Sequence, residues 1–164
     1  MSEQHDFSTA DLIDIAPDTP SCETQFHRFG RHRHFCGKIR TVKCARDNGL
    51  VKTLMNSHSE GEVLVVDGGG SLYSALMGDL IAGAGAANGW AGAVINGAIR
   101  DSEAINTMPF GVKALGTNPR KSAKAGAGEV DITVSFGGVD FIPGHYLDSD
   151  ADGILVSAEP LHQS

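Results

Sequence analysis

The sequence predicts a layered α/β domain built on a mixed sheet, and three observations carry that prediction. Apolar runs of strand length sit in the middle of the chain, VLVV at 63–66 and AGAVI at 91–95, next to glycine-rich turns. Segments with helical spacing lie between and around them. The last third, DITVSFGGVDFIPGHYLDSDADGILVS, reads as strand and turn throughout. Strand–helix units in the centre and antiparallel hairpins at the end argue for a mixed sheet rather than a plain doubly wound one.

A length of 164 residues predicts one domain, 1–164. A chain of this size buries roughly 68–70% of its unfolded surface and needs no staples. The formal charge of −7 argues against an electrostatic nucleic-acid binder. Cys22, Cys36 and Cys44 are odd in number and lack paired metal spacing, so reduced thiols in a cytosol are expected. No apolar run approaches the roughly 20 residues of a membrane helix. The N-terminus is polar and acidic, unlike a secretory signal, and a cytoplasmic protein is expected.

In order along the chain, residues 1–7 read as a frayed terminus. Ser8 or Thr9 caps a short helix with Asp11 in its first turn, and Pro17 and Pro20 end it. A polar, cationic stretch without a clear period follows, then a strand over 35–44 carrying Ile39, Thr41 and Val42. Asp47-Asn48-Gly49 marks a turn, and Leu50, Val51, Leu54 and Met55 have the spacing of a short helix. After the VLVV strand come Asp67 and three glycines, with Ser71 opening a helical pattern. Gly78 breaks that pattern, and Asp79 begins a fresh helix toward Asn88, with Gly89 as its C-terminal stop. A short helix over 102–106, a strand at GVKALGT and a glycine-rich cationic loop, PRKSAKAGAGE, follow. Ile132, Val134 and Phe136 alternate, Gly137-Gly138 turns a hairpin, Val139, Phe141 and Ile142 return, and 148–153 turn again before ILV.

Three places carry candidate chemistry. Glycines between Asp67 and Ser71, if followed by a helix, expose backbone N–H groups to an anion; a plain tight turn explains them as well. Asp79 is equally a helix N-cap, and the first-turn N–H groups of Leu80 and Ile81 are free to hold a carboxylate. Arg100-Asp101 follows the second apolar strand, with twenty residues separating Asp79 from Arg100. A surface ion pair is the bland reading, contributing roughly 0–1 kcal/mol. The functional reading makes Asp101 a direct ligand of a hard divalent cation, with Asp79 holding a cation-bound water. Arg100 then forks onto a carboxylate or enolate oxygen. His27, His32 and His34 lie among Arg28, Arg31, Arg33 and Lys38; a solvated strand edge explains them better than a zinc site or an RNA patch. His145 reads as structural.

VLVVDGGGS, the D-x20-R-D spacing of Asp79, Arg100 and Asp101, TVKC followed by DNGL, and FGGVDFIPGHYLDSDADGILVS together resemble the family of regulator of ribonuclease E activity A. That family also contains the class II 4-hydroxy-4-methyl-2-oxoglutarate aldolases. The resemblance runs over residues 9–160. It implies a three-layer β/β/α sandwich of the swivelling-domain type and a homotrimer, or a hexamer built of two trimers, with sites between subunits. It implies that Asp101 binds the divalent metal, Mg²⁺ or Mn²⁺, that Arg100 contacts pyruvate, and that the segment from Gly78 through Asp79 and Leu80 to Ile81 binds substrate through its backbone. Asp79 belongs in the metal's water shell. Regulator members that bind the ribonuclease lack the full D-x20-R-D set, so the expected activity is cleavage of a small 2-oxo acid, with oxaloacetate decarboxylation alongside it. Larger aldolases of the group carry an acidic C-terminal extension that this chain does not match, which leaves the proton-transfer group unassigned. The rival expectation is a non-catalytic inhibitor of an endoribonuclease. A menaquinone-pathway methyltransferase is a poorer reading, because no doubly wound domain follows the glycines.

Overall fold

The computed structural model describes residues 7–162. Its centre is a run of four parallel strands, β2 (Phe35–Lys43), β3 (Val63–Asp67), β5 (Gly92–Ile99) and β6 (Gly111–Thr117). They lie side by side in chain order, flanked by β1 (His27–Phe29) beyond β6 and by β10 (Tyr146–Asp150) and β11 (Gly153–Ser157) beyond β2, whose other end also pairs with the short β7 (Glu129–Val130). These outer strands pair antiparallel, so the sheet is mixed. Successive parallel strands step in one direction across the sheet. It therefore has no point of strand-order reversal, where doubly wound proteins bind nucleotides.

Both faces of the sheet are covered, which is why β3 and β5 are buried along their whole length. Leu64, Val66, Ala93 and Ile95 point into a core completed by α2 (Gly49–Met55), α3 (Asp79–Ala87) and α4 (Ser102–Ile105). Val63, Val65 and Val94 alternate with them and point into a second core. That core takes Leu147, Ile154 and Val156 from the curled β10–β11 end, and Val134, Val139 and Phe141 from the hairpin of β8 (Val134–Phe136) and β9 (Val139–Phe141). Gly137 and Gly138, both at positive φ, make the hairpin's two-residue turn. Gly92 and Gly111 face each other across β5 and β6, and the Phe35 ring lies over both: a Cβ on either would fall within 2.6 Å of it.

Several expectations need correcting. No helix begins at Ser71. Residues 69–74 form an open turn, and Ala75–Met77 is a strand, β4, which pairs with Ala98 and Ile99 of β5. The Ala75 N–H donates to the Arg120 carbonyl at 2.8 Å, and this long-range tie overrides the helix preference of Ala, Leu and Met. Without a helix behind them, the glycines after Asp67 offer no helix dipole to an anion. Asp67 is a turn anchor instead, accepting from the Gly69 N–H and from Asn96 Nδ2 at 2.9 and 3.0 Å. The predicted turn over 148–153 shrinks to residues 151–152, because strand β10 continues to Asp150. In the last third the hydrogen-bonded strand starts at Val134, although Ile132, Val134 and Phe136 alternate toward the second core as expected. A short stretch of the cationic segment, β1, is ordered as an edge strand on β6, with His27 and Arg28 exposed. Of the predicted frayed terminus, residues 1–6 lie outside the described residues. Phe7 packs on the rings of His34 and His162.

The helix α1 (Thr9–Ile15) is capped by Ser8 and pinned to the sheet's far end. The Thr9 N–H and hydroxyl both donate to the Asp150 carboxylate at 2.7 Å. Burial opposes ionisation of Asp150, but donors from Thr9, Asp152 and Gly153 outweigh it and hold the carboxyl below its usual range. The unfolded chain thus binds a proton that the folded chain refuses. This group's contribution is complete above the ordinary Asp value of about 3.9 and is lost as pH falls through the lower folded value. Thr9→Val is therefore expected to lower Tm near neutrality and to flatten its decline in acid. An unchanged acid limb would show that Thr9 is not the anchor.

Candidate functional site

The site forms where β4, α3, β5 and the loop after β6 meet. Gly78 separates β4 from α3 and is the helix N-cap, with extended backbone. The first intrahelical bond runs from the Ala82 N–H to the Gly78 carbonyl. The N–H groups of Asp79, Leu80 and Ile81 accordingly have no acceptor within the helix. One of them is taken: the Asp79 N–H donates to Asp101 Oδ2 at 3.0 Å. Arg100 leaves the end of β5, its N–H held by the Met77 carbonyl at 2.9 Å and its Nη1 by the Pro119 carbonyl at 3.3 Å.

Asp101 stands at the N-cap of α4 in the left-handed region, φ 58, yet its carboxylate makes no capping hydrogen bond. It turns instead toward Gly78 and Asp79. A Cβ at Gly78 would sit 2.8 Å from Asp101 Oδ2 and 3.5 Å from the Arg100 side chain. The bare glycine is what lets acid and guanidinium lie against the start of α3. The Asp79 N–H above all, with help from the Arg100 charge, holds the Asp101 carboxyl below its usual range against a burial penalty.

Gly78, Asp79, Leu80, Ile81, Arg100 and Asp101 thus line one cavity of about 130 Å³. Its other wall escaped the sequence reading. Asn48, Lys52, Ala75, Lys121, Ser122 and Lys124 complete the lining. Asp47 builds this wall: its carboxylate accepts from the N–H groups of Gly49, Ala125 and Gly126 at 2.9–3.1 Å and folds the cationic loop over the site. Lys124 Nζ donates to Asn48 Oδ1 at 2.9 Å, and Ser122 Oγ bonds Ser74 Oγ and the Ala75 carbonyl. Burial first, then the nearby charges of Lys52, Arg100 and Lys121, push the Lys124 ammonium below its usual range. Four cations around two carboxylates give an acidic protein a local site for an anion. The only sequence signal for this wall was the Arg-Lys-x-x-Lys run in PRKSAKAGAGE.

Two carboxylates turned toward each other repel unless a proton or a cation lies between them. Mg²⁺-type ions take one or two carboxylates and keep several waters, so the Asp79–Asp101 pair fits such an ion. Soft-metal chemistry is not favoured here, because no thiol or imidazole lines this cavity.

The Aldolase/RraA description of the RraA-like family matches residues 9–156. This chain belongs to the RraA-like family. Among solved structures it is similar to one from Geobacillus kaustophilus described as S-adenosylmethionine:2-dimethylmenaquinone methyltransferase, at 45% identity, TM-score 0.92, covering 94% of this chain and 97% of that one. It is similar to the RNA-processing inhibitor RraA from Thermus thermophilis, at 42% identity, TM-score 0.92 and 95% coverage of both chains. An unusual Streptomyces coelicolor member of the RNase ES inhibitor RraA family matches at 25% identity and TM-score 0.72, covering 90% of this chain and 76% of that one. The RraA-like α/β fold expected from the sequence is the one observed. No helix among the described residues is long and apolar enough to cross a membrane.

Proposed function

We propose that this RraA-like chain is a divalent-metal-dependent class II aldolase that cleaves 4-hydroxy-4-methyl-2-oxoglutarate to two molecules of pyruvate. The observation that carries the reading is the convergence of Asp79, Arg100 and Asp101 on the open N-terminus of α3 in one cavity. Asp101 would hold a Mg²⁺ or Mn²⁺ ion directly, and Asp79 would hold a water beside it. The ion, when bound, supplies Lewis-acid stabilisation of negative charge on a 2-oxo acid.

The chain's own groups do the rest. The N–H groups of Leu80 and Ile81 receive the substrate's C1 carboxylate at the positive end of the helix. Arg100 faces the keto oxygen at C2, where charge grows as the reaction proceeds, and contributes most in the transition state. The C4 hydroxyl loses its proton, the C3–C4 bond breaks, and its electron pair passes to C3 as the enolate of one pyruvate. C4 becomes the keto carbon of the other pyruvate, and a proton delivered to C3 completes the first. A water held by Asp79 is the proposed proton carrier. Oxaloacetate, losing CO₂, reaches the same enolate without an initial base, so its decarboxylation is the expected side activity. A homotrimer, or a hexamer of two trimers, is part of the proposal: Leu80, at the lip of the cavity, is 84% exposed, as suits a side chain that a second subunit covers.

Pyruvate release measured over a panel of 2-oxo acids is the test. Activity is expected with 4-hydroxy-4-methyl-2-oxoglutarate and oxaloacetate, its loss with a chelator, and its return with Mg²⁺ or Mn²⁺. Turnover that a chelator leaves untouched would sink the metal assignment. The similarity to the Thermus inhibitor favours a second reading, a regulator that binds an endoribonuclease. Capture of the ribonuclease by a chain with no pyruvate release on any substrate would decide for it.

A further inference from the structure

A second, chemically different donor cluster lies outside the cavity just described and shares no lining residue with it. We infer that Cys36, Asp148 and His162 form a binding site for a zinc-class transition-metal ion. Their donor atoms lie within 4.8 Å of one another, and among the described residues they are the one such group of three. The fold builds the cluster from two directions. Cys36 on β2 and Asp148 on β10 are direct cross-strand partners, so their side chains leave the same face of the sheet side by side. His162 arrives from the chain's end, past the turn at 158–161, and its Nε2 meets Asp148 Oδ1. The Phe7 ring stacks on the imidazole at 4.8 Å between centroids and fixes its plane. The three side chains line one end of a cavity of about 620 Å³, with His58, Glu60 and Glu62 also on its wall.

The donor set selects the metal. Thiolate, imidazole and one carboxylate suit zinc-like ions and do not suit Mg²⁺ or Ca²⁺. Bond lengths of about 2.0–2.3 Å place tetrahedral ligands roughly 3.3–3.8 Å apart, so the widest donor separation must close by about 1 Å while Asp148 Oδ1 and His162 Nε2, now 2.5 Å apart, open by a similar amount. An ion held by Asp148 and His162 would replace the hydrogen bond between them. The open cavity leaves the fourth position to water. A cysteine nucleophile is the poorer reading of the same trio. Burial and the Asp148 charge push the Cys36 thiol up to about 11, the reverse of an activated thiol.

The test uses the full chain and Co²⁺ as a spectroscopic stand-in for Zn²⁺. Added Co²⁺ is expected to produce a thiolate-to-cobalt charge-transfer band that corresponds to one such ion per chain and is displaced by Zn²⁺. Cys36→Ser should abolish the band, and His162→Ala should weaken binding at least ~10-fold. Cys22→Ser and Asp101→Ala should leave it unchanged, which separates this site from the aldolase proposal. No band in the unaltered chain, or a band that survives in Cys36→Ser, overturns the inference. Should Cys36→Ser fail to fold, alkylation of the unaltered chain still decides. Zn²⁺ should protect Cys36 and not Cys22, as mapped by mass spectrometry, and equal labelling of Cys36 with and without Zn²⁺ overturns it.

Discussion

Arg100→Ala is expected to reduce pyruvate formation by ~10²–10³-fold, about 2.7–4 kcal/mol, the cost of removing one preorganised group from a developing oxyanion. The loss should fall on kcat rather than KM, because the guanidinium matters most where charge appears along the reaction. Arg100→Lys should recover little, since an ammonium cannot reproduce a planar two-pronged contact. Asp101→Ala should cost at least as much and should also abolish dependence on added Mg²⁺ or Mn²⁺. Neither change should unfold the chain. Asp101 is exposed and Arg100 is only partly buried, so neither leaves a cavity or an orphaned buried charge. Far-UV circular dichroism and Tm close to those of the parent are the control. Near-full activity in either variant would remove these residues from the reaction and leave the regulator reading in place.

The parts of this site that were legible in the sequence are those fixed by local chemistry. Gly78 followed by Asp79 is a helix start that needs no distant partner, and α3 begins there. The runs 63–66 and 91–95 are apolar on both alternating faces because both faces of the sheet are covered, so they read as buried strands without further help. The parts that were not legible depend on contacts between residues far apart in the chain. Ala75, Leu76 and Met77 carry a helical preference, and only the Arg120 carbonyl and the edge of β5 make them a strand. The cationic wall is folded into place by Asp47, whose partners lie 78 and 79 positions away. Cys36 and Asp148 become neighbours only through the register of β2 on β10, which no local spacing encodes.

Phe110→Ala and Phe141→Ala are each expected to destabilise the fold by about 3–5 kcal/mol, the usual cost of emptying a buried aromatic position. Both side chains are fully buried, and they belong to different cores with no member in common. Phe110 lies against Gly85 of α3, where a Cβ would come within 3.2 Å of the ring, so it packs the helical layer onto the sheet. Phe141 stacks on Phe136 at 4.4 Å between centroids and packs the hairpin layer onto the other face. With β3 and β5 as the shared wall, the two losses should be close to additive. The double variant then forfeits roughly 6–10 kcal/mol against a typical total of 5–15. It should be largely unfolded at 25 °C, whereas each single variant should still show one cooperative urea transition at a lowered midpoint. Two separate transitions in Phe141→Ala would show instead that the hairpin layer melts independently of the parallel strands, and that the α3 site can survive without it.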